Sequence, residues 1–293
     1  MAVTPVPDSS ELPAEAGRRD FFPVRWARSV RRKGLRGAVT GRIDRIKGWW
    51  ADQQLRAAER RFARAGDRIQ AYGLTFSMAN PLIKLYQKIH LRDEVHEADE
   101  VRMARAHLDP SLPTVELGGS IGVVACLTNR MLQRPEDHVV VEANPLMTPT
   151  LRENRDLNGC KFEILTAAVA YGSPEVEFTI GVDAMTGRLQ ADGAEKYRVP
   201  AVSLREIVET RGFGAINLIV DIEGGEIDLV ANELDVLKKH ARFFFLETHE
   251  RMLDDGSTPK MLDALEAAGF RILEGDREEP FVFTFVNDAL ATA

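Results

Sequence analysis

From Thr114 onward, short apolar runs alternate with stretches in which apolar residues recur every three or four positions. The runs are TVELG, HVVVEA, FEILTAAVA, EVEFTIG, AINLIVDIEG, RFFFLETHE, RILEG and FVFTFVN. Helical periods fall near 122–132, 147–157, 226–240 and 259–268. Alternation of this kind predicts an α/β fold built on a doubly wound, mainly parallel, Rossmann-like sheet. Runs such as LIV and FFFL suit strands covered on both faces. The last two runs have no helix between them and predict a C-terminal antiparallel hairpin.

Upstream the rhythm is helical. Leu55, Ala58, Phe62, Ala65 and Ile69 form an apolar stripe among arginines, and a second helical run is expected over 82–108, after Asn80-Pro81 and before Asp109-Pro110. The expected organisation is a disordered tail over 1–17, a basic helical extension over 18–80 and a catalytic domain over 81–293.

Composition sets the class: 293 residues, 44% hydrophobic and 28% charged, describe a soluble globular chain. Charge is unevenly placed. Residues 18–69 hold 16 Lys or Arg against 5 Asp or Glu, although the whole chain is −7. All three tryptophans, Trp26, Trp49 and Trp50, fall in that stretch, a composition suited to an interfacial helix or to docking a partner protein or twin subunit. Residues 70–293 are strongly acidic, and an acidic body argues against nucleic acid. Two cysteines, Cys126 and Cys160, indicate neither a disulfide framework nor a zinc site. Without a secretory pattern or a run of ~18 apolar residues, the expected location is the cytoplasm, with the basic stretch free to touch the inner face of a membrane.

Candidate chemistry sits at strand ends, where open sheets of this type bind ligands. TVELGGSIG compresses a strand, a glycine turn and a helix start, and Glu142 ends the next strand twenty residues after Gly122. That pairing suits an adenosine-type cofactor, with the acid on the ribose hydroxyls. The register Gly118, Gly119, Gly122 is not the G-x-G-x-x-G of dinucleotide binders, so a NAD-type oxidoreductase is disfavoured. The acid Glu116 before the glycines favours a ligand carrying an amino-acid moiety, such as S-adenosylmethionine. Two later ends are polar: DIEGGE, with Asp221, Glu223 and Glu226, and LETHE, with Glu247, His249 and Glu250. Alternation places Asp221 and Glu223 on one side of the strand, over the cofactor edge, whereas Glu226 complements the following helix dipole.

VELGGSIG, EANP, AAVAYGSPEVEF, VSL before DIEGGE, and LETH, in that order, resemble the FkbM family of S-adenosylmethionine-dependent methyltransferases from about Leu108 to the C-terminus. The resemblance implies a class I methyltransferase fold and methylation of a hydroxyl on a glycan, a lipid-linked acceptor or a secondary metabolite. It also implies that Glu116, Gly118, Gly119, Ser120 and Gly122 line the methionine end of the cofactor, that Glu142 takes the ribose, and that Ala167 and Ala168 lie near the adenine. Asp221 would face the methyl group with Glu223 beside it, and His249 is the preferred base, because an imidazole near its usual pKa of ~6.5 accepts a proton at neutral pH. The chain departs from the family pattern with Glu116, Gly119 and Ser120 where Asp, Ala and Asn are usual, and with Ile219 where a lysine is usual. Asp221, Glu223, Glu247 and His249 have the chemistry to hold Mg²⁺, but no spacing demands it and no metal is assigned. The alternative function is a catalytically silent cofactor-fold module that binds a membrane or partner through its basic helices.

Overall fold

The computed structural model describes residues 57, 59–180, 188–189, 195–249, 256–278 and 281–290. The tail and tryptophan-bearing stretch lie outside the described residues, as does most of the polar segment after Ile180. Residues Glu59–Ala293 form one unit. Its helical residues 59–64 stop where Gly66 and Asp67 turn left-handed, and the chain enters strand β1 (Arg68–Ala71). Ile69 is therefore buried on a strand and does not continue the helical stripe. β1 pairs antiparallel with β2 (Leu74–Ser77). The helical reading of residues 68–77 is corrected: positive φ at Tyr72 and Gly73 makes the tight reversal of a hairpin.

The single helix expected over 82–108 is also corrected to two, α1 (Leu85–Arg92) and α2 (Ala98–His107). Glu94 and Glu97 both take the left-handed conformation, which breaks the helical ladder. The hairpin fixes that break: the Tyr72 amide donates to Glu94 Oε1 at 2.5 Å, and the Tyr72 hydroxyl to the His96 carbonyl at 2.7 Å.

Alternation then runs as expected through β3 (Thr114–Leu117), α3 (Val123–Met131), β4 (His138–Glu142), α4 (Thr148–Leu157) and β5 (Glu163–Thr166). FEILTAAVA, expected as one strand, divides at Ala167 into β5 and β6 (Ala168–Val169), which join different sheets. β7 (Glu175–Ile180), β8 (Arg188–Leu189) and β9 (Glu195–Val202) complete the smaller sheet, in the order β6-β9-β7-β8. Helix α5 (Leu204–Arg211) starts at a reciprocal cap. The Glu206 amide donates to Ser203 Oγ at 3.1 Å, and the Ser203 amide to Glu206 Oε2 at 2.8 Å. The chain continues as β10 (Ile216–Val220), α6 (Glu226–His240), β11 (Ala241–Glu247), α7 (Ser257–Ala267), β12 (Phe270–Glu274) and β13 (Val282–Asn287).

The large sheet has the order β12-β13-β11-β10-β3-β4-β5. β11, β10, β3, β4 and β5 are parallel, and β13 runs antiparallel to both β11 and β12, as the final hairpin predicts. This is the class I methyltransferase arrangement. Every residue of β3, β4 and β10 is buried, because helices cover both faces. Phe244, Phe270 and Phe285 pack edge-on and tilted, with ring centroids 5.9–6.5 Å apart, and anchor the hairpin side of the core. Cys126 and Cys160 are buried free thiols. Among the described residues no helix is long and apolar enough to cross a membrane.

Candidate active site

The carboxyl ends of β3, β4, β10 and β11 open on one cavity of about 570 Å³. On its first side the turn after β3 is set by backbone packing. The Gly118 and Gly119 amides both donate to the Val141 carbonyl, at 2.9 and 3.0 Å. Gly118 has φ +97°, and a Cβ there would overlap the Asp221 carbonyl oxygen just past the end of β10. Ser120 is left-handed as well, a strained conformation for a residue with a side chain. That conformation aims its amide at Glu142 Oε2, 2.6 Å away, and the Asn144 amide reaches Glu142 Oε1 at 2.6 Å. Each carboxylate oxygen keeps a second acceptor site. Glu142 is 8% exposed and lines the cavity. Burial pushes its carboxyl up to about 7, against the downward pull of the two amides.

Across the cavity stand the acids at the ends of β10 and β11. Asp221, Glu223 and Glu247 line it, whereas His249 lies behind them. Its Nε2 is 3.5 Å from Asp221 Oδ1, 3.3 Å from Glu223 Oε2 and 3.8 Å from Glu247 Oε1. Its Nδ1 is 3.1 Å from Oε1 of Glu226, which is fully buried and also accepts the Ile222 and Gly224 amides. Burial works against a charge on His249. The hydrogen bond to Glu226 and the charges of Glu226, Asp221 and Glu223 outweigh it and push the imidazole up to about 9. His249 is therefore a cation at neutral pH. Expected as the base, it stands outside the cavity lining and pairs with the carboxylates. Glu226 does more than complement a helix dipole, since it orients that imidazole.

The acids respond to their crowding. Burial pushes Asp221 well above the usual carboxylate range, the His249 cation opposes the rise, and Glu223, Glu97 and Glu100 add to it. Burial, Asp221 and a hydrogen bond with Glu100 push Glu247 up to about 12, so Glu247 keeps its proton at neutral pH.

Glu116, expected at the methionine end, does not line this cavity. It is 2% exposed, and burial together with the charges of Glu97, Asp221 and Glu142 raises its carboxyl well above the usual range. Its Oε2 lies 3.5 Å from Nε2 of His138, an imidazole that burial pushes down to about 3 and keeps neutral. Gly119 and Gly122 also stand outside the lining. Their missing side chains admit Val140 and Leu151 against the turn, a packing role in place of the expected ligand contact. Gly118, Ser120, Glu142, Ala167 and Ala168 line the cavity, as Asp221 and Glu223 do. Ile219 borders a smaller void behind it.

One wall is absent from the expected set. Tyr86, His90, Val95, His96, Glu97 and Glu100, on and between α1 and α2, line the cavity, and Phe281 faces it from the start of β13. Tyr86, Val95 and Phe281 are the exposed large hydrophobics among the described residues. His90 and His96 belong to this wall. His96 sits 3.2 Å from Glu97 Oε1; burial opposes its charge, but Glu97, Glu100 and Asp221 raise its pKa. Glu97 Oε2 also accepts the Val124 amide at 3.3 Å, which joins this wall to the first turn of α3. The signal that could have shown the wall is the cluster of aromatic, His and Glu residues around the break between the two helices.

No curated protein matches the chain. Solved structures similar to it include the ribosomal protein L11 methylase of Lactobacillus delbrueckii subsp. bulgaricus, with TM-score 0.38 and 15% identity, covering 67% of this chain and 79% of that one. Another is precorrin-6y C5,15-methyltransferase of Geobacter metallireducens GS-15, with TM-score 0.38 and 11% identity, covering 65% and 88%. The family model of the methyltransferase FkbM domain matches residues 116–272, more than half of the sequence, and the chain belongs to that family.

Proposed function

We propose that this protein uses S-adenosylmethionine to methylate a hydroxyl group on a glycan, lipid-linked or secondary-metabolite acceptor. The observation that carries the reading is the opposition, across one cavity, of the Ser120–Glu142–Asn144 clamp and the carboxylates of Asp221 and Glu223. The residues present fit the cofactor. Glu142 has acceptor sites left for ribose hydroxyls after taking two amides, and Gly118, Ala143, Ala167 and Ala168 leave space for a flat ring and its chain.

When bound, S-adenosylmethionine supplies a methyl group already activated by a sulfonium. What remains for the chain is to orient an acceptor oxygen and remove its proton. Asp221 is the proton acceptor, because a carboxylate whose proton affinity is raised by burial is a stronger base than an exposed one. His249, fixed by Glu226, holds Asp221 and Glu223 at their stations. The wall of Tyr86, Val95 and Phe281 offers an apolar face to the acceptor ring or chain.

Calorimetry with S-adenosylhomocysteine and with NADH tests the cofactor half: tight binding of the first and none of the second supports the reading, and the reverse overturns it. Transfer of a labelled methyl group from S-adenosylmethionine to hydroxyl acceptors in an extract of the producing cell tests the rest. A folded protein that binds the cofactor and labels nothing favours the silent module.

A further inference from the structure

We propose that Asp221, Glu247 and His249 form a binding site for a divalent first-row cation such as Mn²⁺, where the ends of β10 and β11 meet. One donor atom from each lies within 4.8 Å of the other two. Nε2 of His249 is 3.5 Å from Asp221 Oδ1 and 3.8 Å from Glu247 Oε1. Metal–ligand bonds of roughly 2.0–2.2 Å put adjacent ligand atoms about 3.0–3.5 Å apart, so the two imidazole–carboxylate distances need change by only a few tenths of an ångström.

An ion would displace the proton on Nε2 of His249, and the imidazole is then presented in the manner a metal needs. Nδ1 is tied to Glu226, a carboxylate itself fixed by the Ile222 and Gly224 amides, which turns Nε2 toward Asp221 and Glu247. Once the ion displaces the Glu247 proton, two carboxylates with one imidazole form a mixed donor set suited to Mn²⁺, Fe²⁺ or Zn²⁺ more than to Ca²⁺.

A separate observation points to a cation. Beside two of the three ligands lies a void of about 20 Å³, bordered by Asp221 and Glu247 together with Glu97, Glu100 and Glu116, and by no lysine or arginine. Glu116, 2% exposed, borders that void with an Oε2 that makes no hydrogen bond and lies 3.5 Å from the neutral imidazole of His138, and Asp221 Oδ1, shielded from solvent, has His249 Nε2 at 3.5 Å but makes no hydrogen bond. Buried oxygens left in this way are costly, and an ion with its water meets them. Asp221 and Glu247 also line the large cavity, so positions on the ion would be open to an acceptor oxygen. The site stands on its own ligands and does not depend on the methyl-transfer reading.

The test uses the full chain, stripped with a chelator, dialysed and titrated with Mn²⁺ alone while free Mn²⁺ is followed by electron paramagnetic resonance. About one ion per chain is expected to bind. Asp221→Asn and Glu247→Gln should each weaken binding about tenfold or more, whereas Asp228→Asn, an acid elsewhere on the cavity wall, should leave it within about twofold. Bound Mn²⁺ should show nitrogen modulation of its spin echo that His249→Gln abolishes. Absence of binding to the wild-type chain, wild-type affinity in folded Asp221→Asn, or nitrogen modulation that persists in His249→Gln would each overturn the site. If a variant fails to fold by circular dichroism, the presence or absence of nitrogen modulation in the wild-type chain decides.

Discussion

The Ser120 amide donates to Glu142 Oε2 at 2.6 Å, so the glycine turn after β3 and the acid that ends β4 are held as one piece. Because the same carboxylate takes the Asn144 amide, three loop positions are organised before any ligand arrives.

Glu142→Ala should weaken S-adenosylhomocysteine binding by about 1–3 kcal/mol, the scale of a hydrogen bond to a charged group. The affinity should also depend on pH. The Glu142 carboxyl titrates at about 7, and its ionised form is the better acceptor for ribose hydroxyls, so binding falls as pH drops from 8 to 6. Glu142→Gln should flatten that profile. Calorimetry across this range decides, and an unchanged slope in the variant would remove the ribose assignment.

Gly118→Ala should be severely destabilising. The residue sits at φ +97°, and its added methyl would meet the Asp221 carbonyl, a backbone atom that cannot swing away. A loss of roughly 3 kcal/mol or more is expected, combining left-handed strain with displacement of two core strands. Urea unfolding measures it, and wild-type stability would show that the turn relaxes.

Asp221→Asn should lower turnover by about 10²–10⁴ while cofactor affinity stays within a few-fold, as expected for a proton acceptor. His249→Asn should cost about 10–100-fold, the usual effect of losing a group that orients another. Single-turnover rates compared with binding constants separate the two. A larger loss from His249 than from Asp221 would return the proton-accepting role to the imidazole.

Asn154→Ala should loosen the β1–β2 hairpin. Asn154 is fully buried, accepts the Ser77 amide at 2.6 Å and donates to the carbonyls of Ile121 and Ser77. Leaving these groups unpaired costs about 1–3 kcal/mol for each that water cannot reach. Faster proteolysis near residues 68–77, with a lower urea midpoint, is the expected result.

The sheet was legible because β3, β4, β10 and β11 are short apolar runs set between helical periods, and no other arrangement buries runs such as LIV and FFFL on both faces. Glu142, Asp221 and Glu223 were legible because they end those runs. The misses have local causes. Ser203 and Glu206 announce the cap of α5, yet Pro200 and the polar residues before it disguise β9. Glu97 and Glu94 read as ordinary helix formers, and their left-handed backbone arises from tertiary bonds that no period reports. His249 was found, but its charge state was not legible, because Glu226, Asp221 and Glu223 set it and only the fold brings them together. Glu116 was expected in the ligand cavity because it precedes the glycine turn and stands at the family's acidic position, whereas here the strand continues one residue further and the acid is buried.

The wall formed by residues 86–100 precedes the stretch shared with the family, 116–272. Relatives that share every motif from the glycine turn to the last helix can therefore differ in this upstream segment. On the proposed reading this wall meets the acceptor while the shared span holds the donor, so exchanging only the short helical pair between two relatives should change the product without changing the cofactor.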